Sequence, residues 1–396
     1  MSTVVDPSQV GTARRWAMLA VGVLAQGTSA ITINGPAFLI PTLHRQEGLS
    51  LVQASLVAAA PSVGVMVSLI AWGYAVDMLG ERLVLAVGLA GTTVAGLLAT
   101  QAHGTLALAA ALFVAGGFGA STSSASGRVV IGWFPAHRRG LAMGIRQMAQ
   151  PLGVGVAAIS IAVVAEQHGV PTALLVPAVA SAVALVAVLL VVIDPPRPPR
   201  SLTATPSPYS EAFLWRVHGV SVLLVVPQFA VWTFGLVWLV DARHWSAGAA
   251  GTLIAVSQVI GAVGRITIGH VSDLVGSRML PLRWVAVAAG LTMALFGLAA
   301  HEDWAVAVLL LVVATTVTVA DNGLAFTAVA ERAGPFWSGR ALGVQNTAQF
   351  LTAAAAAPVT GAAITHWGYP AAFALTALGP LVAIGLVPHD EAEFGD

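Results

Sequence analysis

Apolar stretches of eighteen or more residues recur along the whole of this sequence, and no other feature restricts its folding so strongly. A stretch of that length crosses the hydrocarbon core of a bilayer. In lipid only helices and closed barrels satisfy every backbone group, and these runs are far too long for barrel strands. The sequence therefore predicts an all-α polytopic membrane protein. Twelve spans are expected, at 16–43, 51–76, 83–102, 105–134, 140–165, 171–193, 213–240, 247–272, 281–300, 304–330, 340–365 and 370–388. The first is too long and too poorly bounded for a cleavable signal peptide, so it is read as the first span. Composition agrees: 57% of the residues are hydrophobic and 9% charged, where a soluble domain carries about a quarter charged.

Absent residue types narrow the chemistry. All 17 basic residues are arginine, and there is no cysteine. A Walker A phosphate loop and a pyridoxal phosphate Schiff base both need lysine, and thiolate metal sites need cysteine. The ten histidines form no H-E-x-x-H or similar ligand spacing, and no G-x-S-x-G elbow occurs. A non-transporting receptor or a membrane enzyme would need a catalytic constellation or a sizeable soluble domain, and neither is found. The expectation is no enzyme, no cofactor, no metal, no nucleic acid and no obligate protein partner.

Between spans 6 and 7 lies "DPPRPPRSLTATPSPYSEA", residues 194–212, whose six prolines make it an extended polar linker. It divides the chain into an N-terminal six-helix bundle, 1–193, and a C-terminal one, 213–396. Arginine placement predicts orientation. With the N-terminus in the cytoplasm, twelve arginines (14, 15, 82, 138, 139, 197, 200, 216, 278, 283, 332 and 340) face inside. Arg45 and Arg243 fall outside, and Arg128, Arg146 and Arg265 lie within spans. Both termini are therefore expected in the cytoplasm, with the chain in the cytoplasmic (inner) cell membrane. Tryptophans such as Trp72, Trp133, Trp245, Trp304 and Trp367 sit near span ends as interfacial anchors.

The halves repeat. "GYAVDMLGER" (73–82) and "GHVSDLVGSR" (269–278) share the pattern G-x-x-x-D-x-x-G-x-R, 196 residues apart. "RGLAMGIRQMAQ" (139–150) and "GRALGVQNTAQF" (339–350) align Gly140 with Gly339, Gly144 with Gly343 and Gln150 with Gln349, 199 residues apart. Two motifs in order at nearly one offset indicate duplication, a signature of secondary transporters. In the first motif the glycines allow a tight turn and close helix approach, and the aspartate can pair with arginine or cap a helix. The bland alternative is a well-formed short loop; the functional one is a cytoplasmic latch that breaks as the halves rock.

The twelve-span plan, the central linker and the paired loops resemble the major facilitator superfamily over the whole chain. The resemblance implies a secondary transporter working by alternating access, with spans 1, 4, 7 and 10 around a central cavity and 2, 5, 8 and 11 flanking it. It implies gating roles for Gly73, Asp77, Gly80, Arg82, Gly269, Asp273, Gly276 and Arg278. One departure is visible, since the basic residue usual after the aspartate is Met78 in one copy and Leu274 in the other.

Charges inside a bilayer cost about 2.5–3.5 kcal/mol each on insertion scales and mark pathways or pairs. Four are kept: Arg128 in span 4, Arg146 in span 5, Arg265 in span 8 and Asp321 in span 10. Arg265 lies about 12 Å in from Asp273, near mid-depth, and Asp321 about 15 Å from the cytoplasmic side. Three positive charges against one negative favour an anionic substrate, and the planar guanidinium suits a carboxylate. Arg265 is therefore expected to contact substrate, with a structural pairing to Asp321 as the alternative. Its setting in "GRITIG" is similar to that of the span-8 arginine of monocarboxylate and oxalate/formate facilitators, where the resemblance implies contact with a substrate carboxylate. Arg128 and Arg146 would shape a positive cytoplasmic half of the cavity, unless they snorkel to the interface. Burial favours a neutral Asp321 and a nearby arginine a charged one, so it could carry a coupled proton. Asn34, Gln147, Gln150, Gln228, Asn322, Gln345, Asn346 and Gln349 would complete the lining or bond between helices; of these Gln345, Asn346 and Asn34 are taken as substrate residues.

The expected function is proton-coupled transport of a small anion, a carboxylate above all. The alternative is proton-coupled drug efflux. Proteins of that kind resemble one another by a span-4 arginine ahead of a glycine cluster, where this chain has Phe113, and by a Gly-Pro pair in span 5, where it has Gln150-Pro151. Their acidic residue in span 1 has no counterpart among Gln26 and Asn34.

Overall fold

The computed structural model describes residues 10–196 and 206–389, and the regular structure among them is helical throughout. The central part of the linker, with Arg197 and Arg200, lies outside the described residues. Six spans are single helices: Leu51–Leu79, Glu81–Thr100, Ala212–Asp241, Ala247–Val275, Met279–His301 and, in span 1, Thr12–Asn34, which runs on through a 3-10 turn. Two helices are too long for one crossing. Ala149–Val191 has 43 residues and Ser338–Leu375 has 38, where about 20 suffice for the hydrocarbon core. Each is divided by one residue of non-helical backbone, Gly169 (φ 81°, ψ 169°) and Gly368 (φ 80°, ψ 169°). These are the turns between spans 5 and 6 and between 11 and 12, and with them the count of twelve stands.

Positive backbone angles carry the duplication further than the motifs do. Eight of the nine among the described residues occur in pairs, Gly48 with His244, Gly80 with Gly276, Gly104 with Asp303, and Gly169 with Gly368, and Gly334 stands alone. Every pair is 196 or 199 residues apart. The change of three falls in one span, since Glu81–Thr100 has 20 residues and Met279–His301 has 23. Where glycine is replaced the substitute is His or Asp, residue types that tolerate left-handed backbone better than most. Gly169 and Gly368 occupy a region that is essentially glycine-only, and each is followed two residues later by a proline (Pro171, Pro370) suited to a helix start. Gly169→Ala is expected to lower stability by about 1–3 kcal/mol, measured as a reduced unfolding midpoint in detergent; an unchanged midpoint would deny that the turn is strained for other residues.

The contacts form two compact units: Met1–Phe134 with Met148–Pro206 and Ala333–Thr347, and Pro135–Gln147 with Ser207–Arg332 and Ala348–Asp396. Each unit holds most of one sequence half and the opening stretch of span 11 or span 5 from the other. The division expected at the linker is thus crossed twice. In the first unit Leu39, Leu43, Leu112 and Ile161 centre the apolar core. In the second Trp238 packs edge-on against Phe296, with ring centroids 5.1 Å apart, and Phe296 lies 4.6 Å from Phe373.

Spans 4, 5 and 10, expected as continuous, are interrupted. Span 4 is Thr105–Gly119 then Ser121–Trp133, and span 10 is Val306–Val317 then Asp321–Ala333. Span 5 opens with Ala136–Gln147 and resumes at Ala149. Hydroxyls loosen span 10, where Thr315, Thr316 and Thr318 donate to the carbonyls of Leu311, Val312 and Ala314 in competition with the helix ladder. In span 5, Pro151 lacks the N–H that Gln147 O would accept and crowds that carbonyl.

Candidate functional site

A broken helix frees carbonyls on one side of the gap and amides on the other, a negative and a positive dipole end. The second unit places charge on both. Arg265 Nη1 donates to Gln147 O at 3.0 Å, the carbonyl released by Pro151, and Arg265 Nε donates to Val319 O at 3.4 Å, inside the span-10 gap. Asp321 is the first residue beyond that gap, in the first turn of the resumed helix. It is fully buried, and no side chain donates a hydrogen bond to its carboxylate among the described residues. Arg265 is close enough to interact with it through space, but its hydrogen bonds go to the two carbonyls. The guanidinium is therefore held without being neutralised by a bonded carboxylate. Arg146, also buried, stacks its guanidinium over Phe326 at 5.9 Å and reaches Gln147 Oε1 at 3.4 Å.

Amides extend this cluster. Val319 O also accepts from Asn322 Nδ2 at 3.4 Å, and the same nitrogen donates to Gln228 Oε1 at 3.3 Å. Gln349 Nε2 donates to Asn322 Oδ1 and to Ser221 Oγ, both at 2.7 Å. The first unit has a quieter counterpart at the span-4 gap. There Thr122 Oγ1 donates to Gln26 Oε1 at 3.2 Å, Gln26 Nε2 donates to Ser123 Oγ at 3.4 Å, and Ser29 caps the freed carbonyl of Gly119 at 2.9 Å. In each half a glutamine of the first span bonds the second residue beyond the gap of the fourth. In the second unit ionisable groups, Arg265 and Asp321, accompany the gap.

The other expected substrate residues lie in the first unit and are occupied differently. Arg128 is 4% exposed; its Nη1 meets Asp77 Oδ1 at 2.5 Å and its Nε meets Glu81 Oε1 at 2.8 Å. Its charge is thus balanced by two buried carboxylates instead of standing spare for a substrate. The amide nitrogens of Asn34 and Asn346 donate to Ala30 O and Leu342 O of their own helices at 2.9 and 2.8 Å. Gln345 is fully buried.

The repeated motifs cross over, each copy of one meeting the opposite copy of the other. Asp77 accepts from the amides of Gly339 (2.8 Å) and Arg340 (2.9 Å) and from Arg340 Nε (3.0 Å), capping the helix that opens span 11. Asp273 accepts from the amides of Gly140 (2.9 Å) and Leu141 (2.8 Å) in span 5. Glycine is required for both approaches, because a Cβ on Gly73 would stand 2.4 Å from Gly339 O and one on Gly269 would stand 2.2 Å from Gly140 O. Gly80 and Gly276 form the positive-φ turns. Arg278 bonds Asp273 (2.6 Å), Ala136 O (2.7 Å) and Glu331 (3.3 Å). Its repeat partner Arg82 takes no such part: its side chain donates to Leu189 O and its amide to Asp194. Arginine reaches the aspartate from span 4 in the first unit and from the loop in the second. Glu81, Glu331, Arg139 and Arg340 complete these clusters; from the sequence the two arginines were read only for orientation, and the two glutamates were given no role.

A family model described as the Major Facilitator Superfamily matches residues 22–357. The chain belongs to the major facilitator superfamily. It is 46% identical over 387 residues to an uncharacterised transporter of this type from Mycobacterium tuberculosis strain H37Rv, covering 97% of this chain and 86% of that protein. A counterpart in the CDC 1551 strain is equally similar. Among solved structures the fold is similar to the superfamily transporter FucP in its outward conformation (TM-score 0.75, 16% identity, 93% and 97% of the two chains). It is similar also to the proton:xylose symporter XylE (0.76, 14%, 97% and 98%) and to the human organic anion transporter MFSD10 (0.73, 16%, 96% and 100%). This superfamily member is a multi-pass membrane transporter of small molecules and not an enzyme.

Proposed function

We propose that this transporter moves small anions, carboxylates above all, across the cytoplasmic membrane by alternating access, and that it couples them to protons. One observation carries the reading: Arg265 is anchored by two backbone carbonyls, so its position is fixed while no carboxylate is hydrogen-bonded to it. Its Nη2 makes no hydrogen bond among the described residues. A positioned guanidinium with a free edge suits a carboxylate, and the likeness of "GRITIG" to the carboxylate-type facilitators agrees. The Arg128 and Arg146 positions add little to this reading, because Arg128 is balanced by Asp77 and Glu81. Gln345, Asn346 and Asn34 are kept as substrate residues of lower rank. The arginine bias keeps both termini in the cytoplasm. Two solved neighbours are named for sugars and one for organic anions; at such low identity they support the fold alone.

The test is transport by the purified protein in liposomes. Small carboxylates and inorganic anions are expected to cross, lipophilic cations are not, and the reverse pattern would sink the anion reading in favour of drug export. Asp321 carries the coupling. No side chain donates to its oxygens among the described residues, so Asp321→Asn removes the charge without taking a hydrogen bond from another side chain. That variant is expected to lose accumulation driven by an imposed pH gradient while retaining exchange of labelled for unlabelled anion. Loss of both, or of neither, would remove Asp321 from the coupling step.

A further inference from the structure

The amide cluster beside Arg265 has a direction, and one backbone atom sets it. Val319 O can only accept, so the Asn322 group facing it is Nδ2. The same nitrogen reaches Gln228, which must present Oε1, and Asn322 Oδ1 is then left to accept from Gln349 Nε2. Gln349 spends its second N–H on Ser221 Oγ. No amide in the chain can be turned over without breaking a neighbour's bond, so the assignment is over-determined, unlike that of an isolated amide.

The remaining capacity is equally defined. Both N–H groups of Asn322 and both of Gln349 are committed. Unused among the described residues are an acceptor, Gln349 Oε1, and two donors, Gln228 Nε2 and Arg265 Nη2. Arg265 Nε and Asn322 Nδ2 share Val319 O, each at 3.4 Å, so they lie within about 7 Å of each other. Asn322, the member of the amide cluster bonded to both Gln228 and Gln349, is thus close to the guanidinium. Gln349 is half-buried and the other side chains are buried.

We propose that Gln349 and Gln228 form a hydroxyl subsite beside Arg265, and that the preferred substrates are hydroxylated carboxylates. This rests on the anion reading above. A hydroxyl can donate to Gln349 Oε1 and accept from Gln228 Nε2 while the carboxylate meets Arg265. A plain alkyl acid leaves both amides unanswered, and a keto group cannot satisfy an acceptor. Gln349 is a specificity-determining residue in this scheme, and Val319 O a positioning group that acts through Asn322.

The experiment is competitive transport in liposomes with matched acids: acetate against glycolate, and propionate against lactate and pyruvate. The wild-type protein is expected to show a KM about ten-fold lower for each hydroxy acid than for its parent, the size of one well-placed hydrogen bond, with pyruvate resembling propionate. Gln349→Met is expected to erase that difference by raising KM for the hydroxy acids alone. Equal KM values in the wild-type protein, or a variant that affects all acids alike, would overturn the hydroxyl subsite and leave the anion reading intact. Transport of none of these acids by the wild-type protein would overturn both. The wild-type comparison needs no variant, so a Gln349→Met protein that failed to fold would not shield the proposal.

Discussion

Arg265→Gln is expected to abolish anion flux in liposomes while the protein stays folded. A glutamine amide can still reach one of the two carbonyls that hold Arg265 (Gln147 O and Val319 O), so the gap in span 10 keeps a partner. What it cannot supply is charge, or a second donor edge for a carboxylate. Hydrogen bonds to charged groups are worth about 1.5–3 kcal/mol each, so losing a bidentate pair lowers apparent affinity by about 100-fold or more. Arg265→Lys separates charge from geometry. An ammonium keeps the charge but cannot span two carbonyls and a ligand together, so an intermediate flux is expected. Unchanged flux in Arg265→Gln, with melting near that of the wild-type protein, would make Arg265 a structural brace for the broken helix.

The second large effect falls on stability. Arg128→Gln is expected to cost about 3–5 kcal/mol, the penalty of breaking a buried ion pair by removing one partner. Asp77 and Glu81 are both essentially inaccessible, so removing Arg128 leaves Glu81 without the ion pair that offsets its burial. Arg278→Gln is expected to cost less, because the buried Asp273 keeps the amides of Gly140 and Leu141 and the other carboxylate, Glu331, is 18% exposed in the side chain, so water can replace part of what is lost. Replacing Arg128 and Glu81 together by leucine should recover part of the deficit, since the cation and one of its carboxylate partners are then removed together. Denaturant unfolding in detergent measures all three. A cost below about 1 kcal/mol for Arg128→Gln would place the pair with surface salt bridges, whose worth is small.

Span number and the duplication were legible because they rest on local composition and on short motifs at a constant offset. Partnership between distant residues was not. Arg128 looks from sequence like a charge spare for a substrate, and only packing brings Asp77 and Glu81 to it. The crossing of motifs was hidden for the same reason: "GYAVDMLGER" says that an aspartate can cap a helix, but not that the helix opens span 11. The breaks in spans 4 and 10 carry no proline. They follow from threonine and serine hydroxyls that bond backward, a weak signal inside an apolar run. The break in span 5 was readable, since Pro151 names Gln147 as the carbonyl it releases, and that carbonyl is one of the two holding Arg265.

The crossed caps also impose an order of assembly on a chain made from its N-terminus. Asp273 meets Gly140, made 133 residues earlier, so its partner is waiting when span 8 is completed. Asp77 needs the amide of Gly339, which follows it by 262 residues. The more deeply buried of the two ionic clusters therefore stays incomplete until the eleventh span is inserted. A nascent chain halted before that point would hold Asp77, Glu81 and Arg128 without the helix end that Asp77 caps, a recognisably unfinished product.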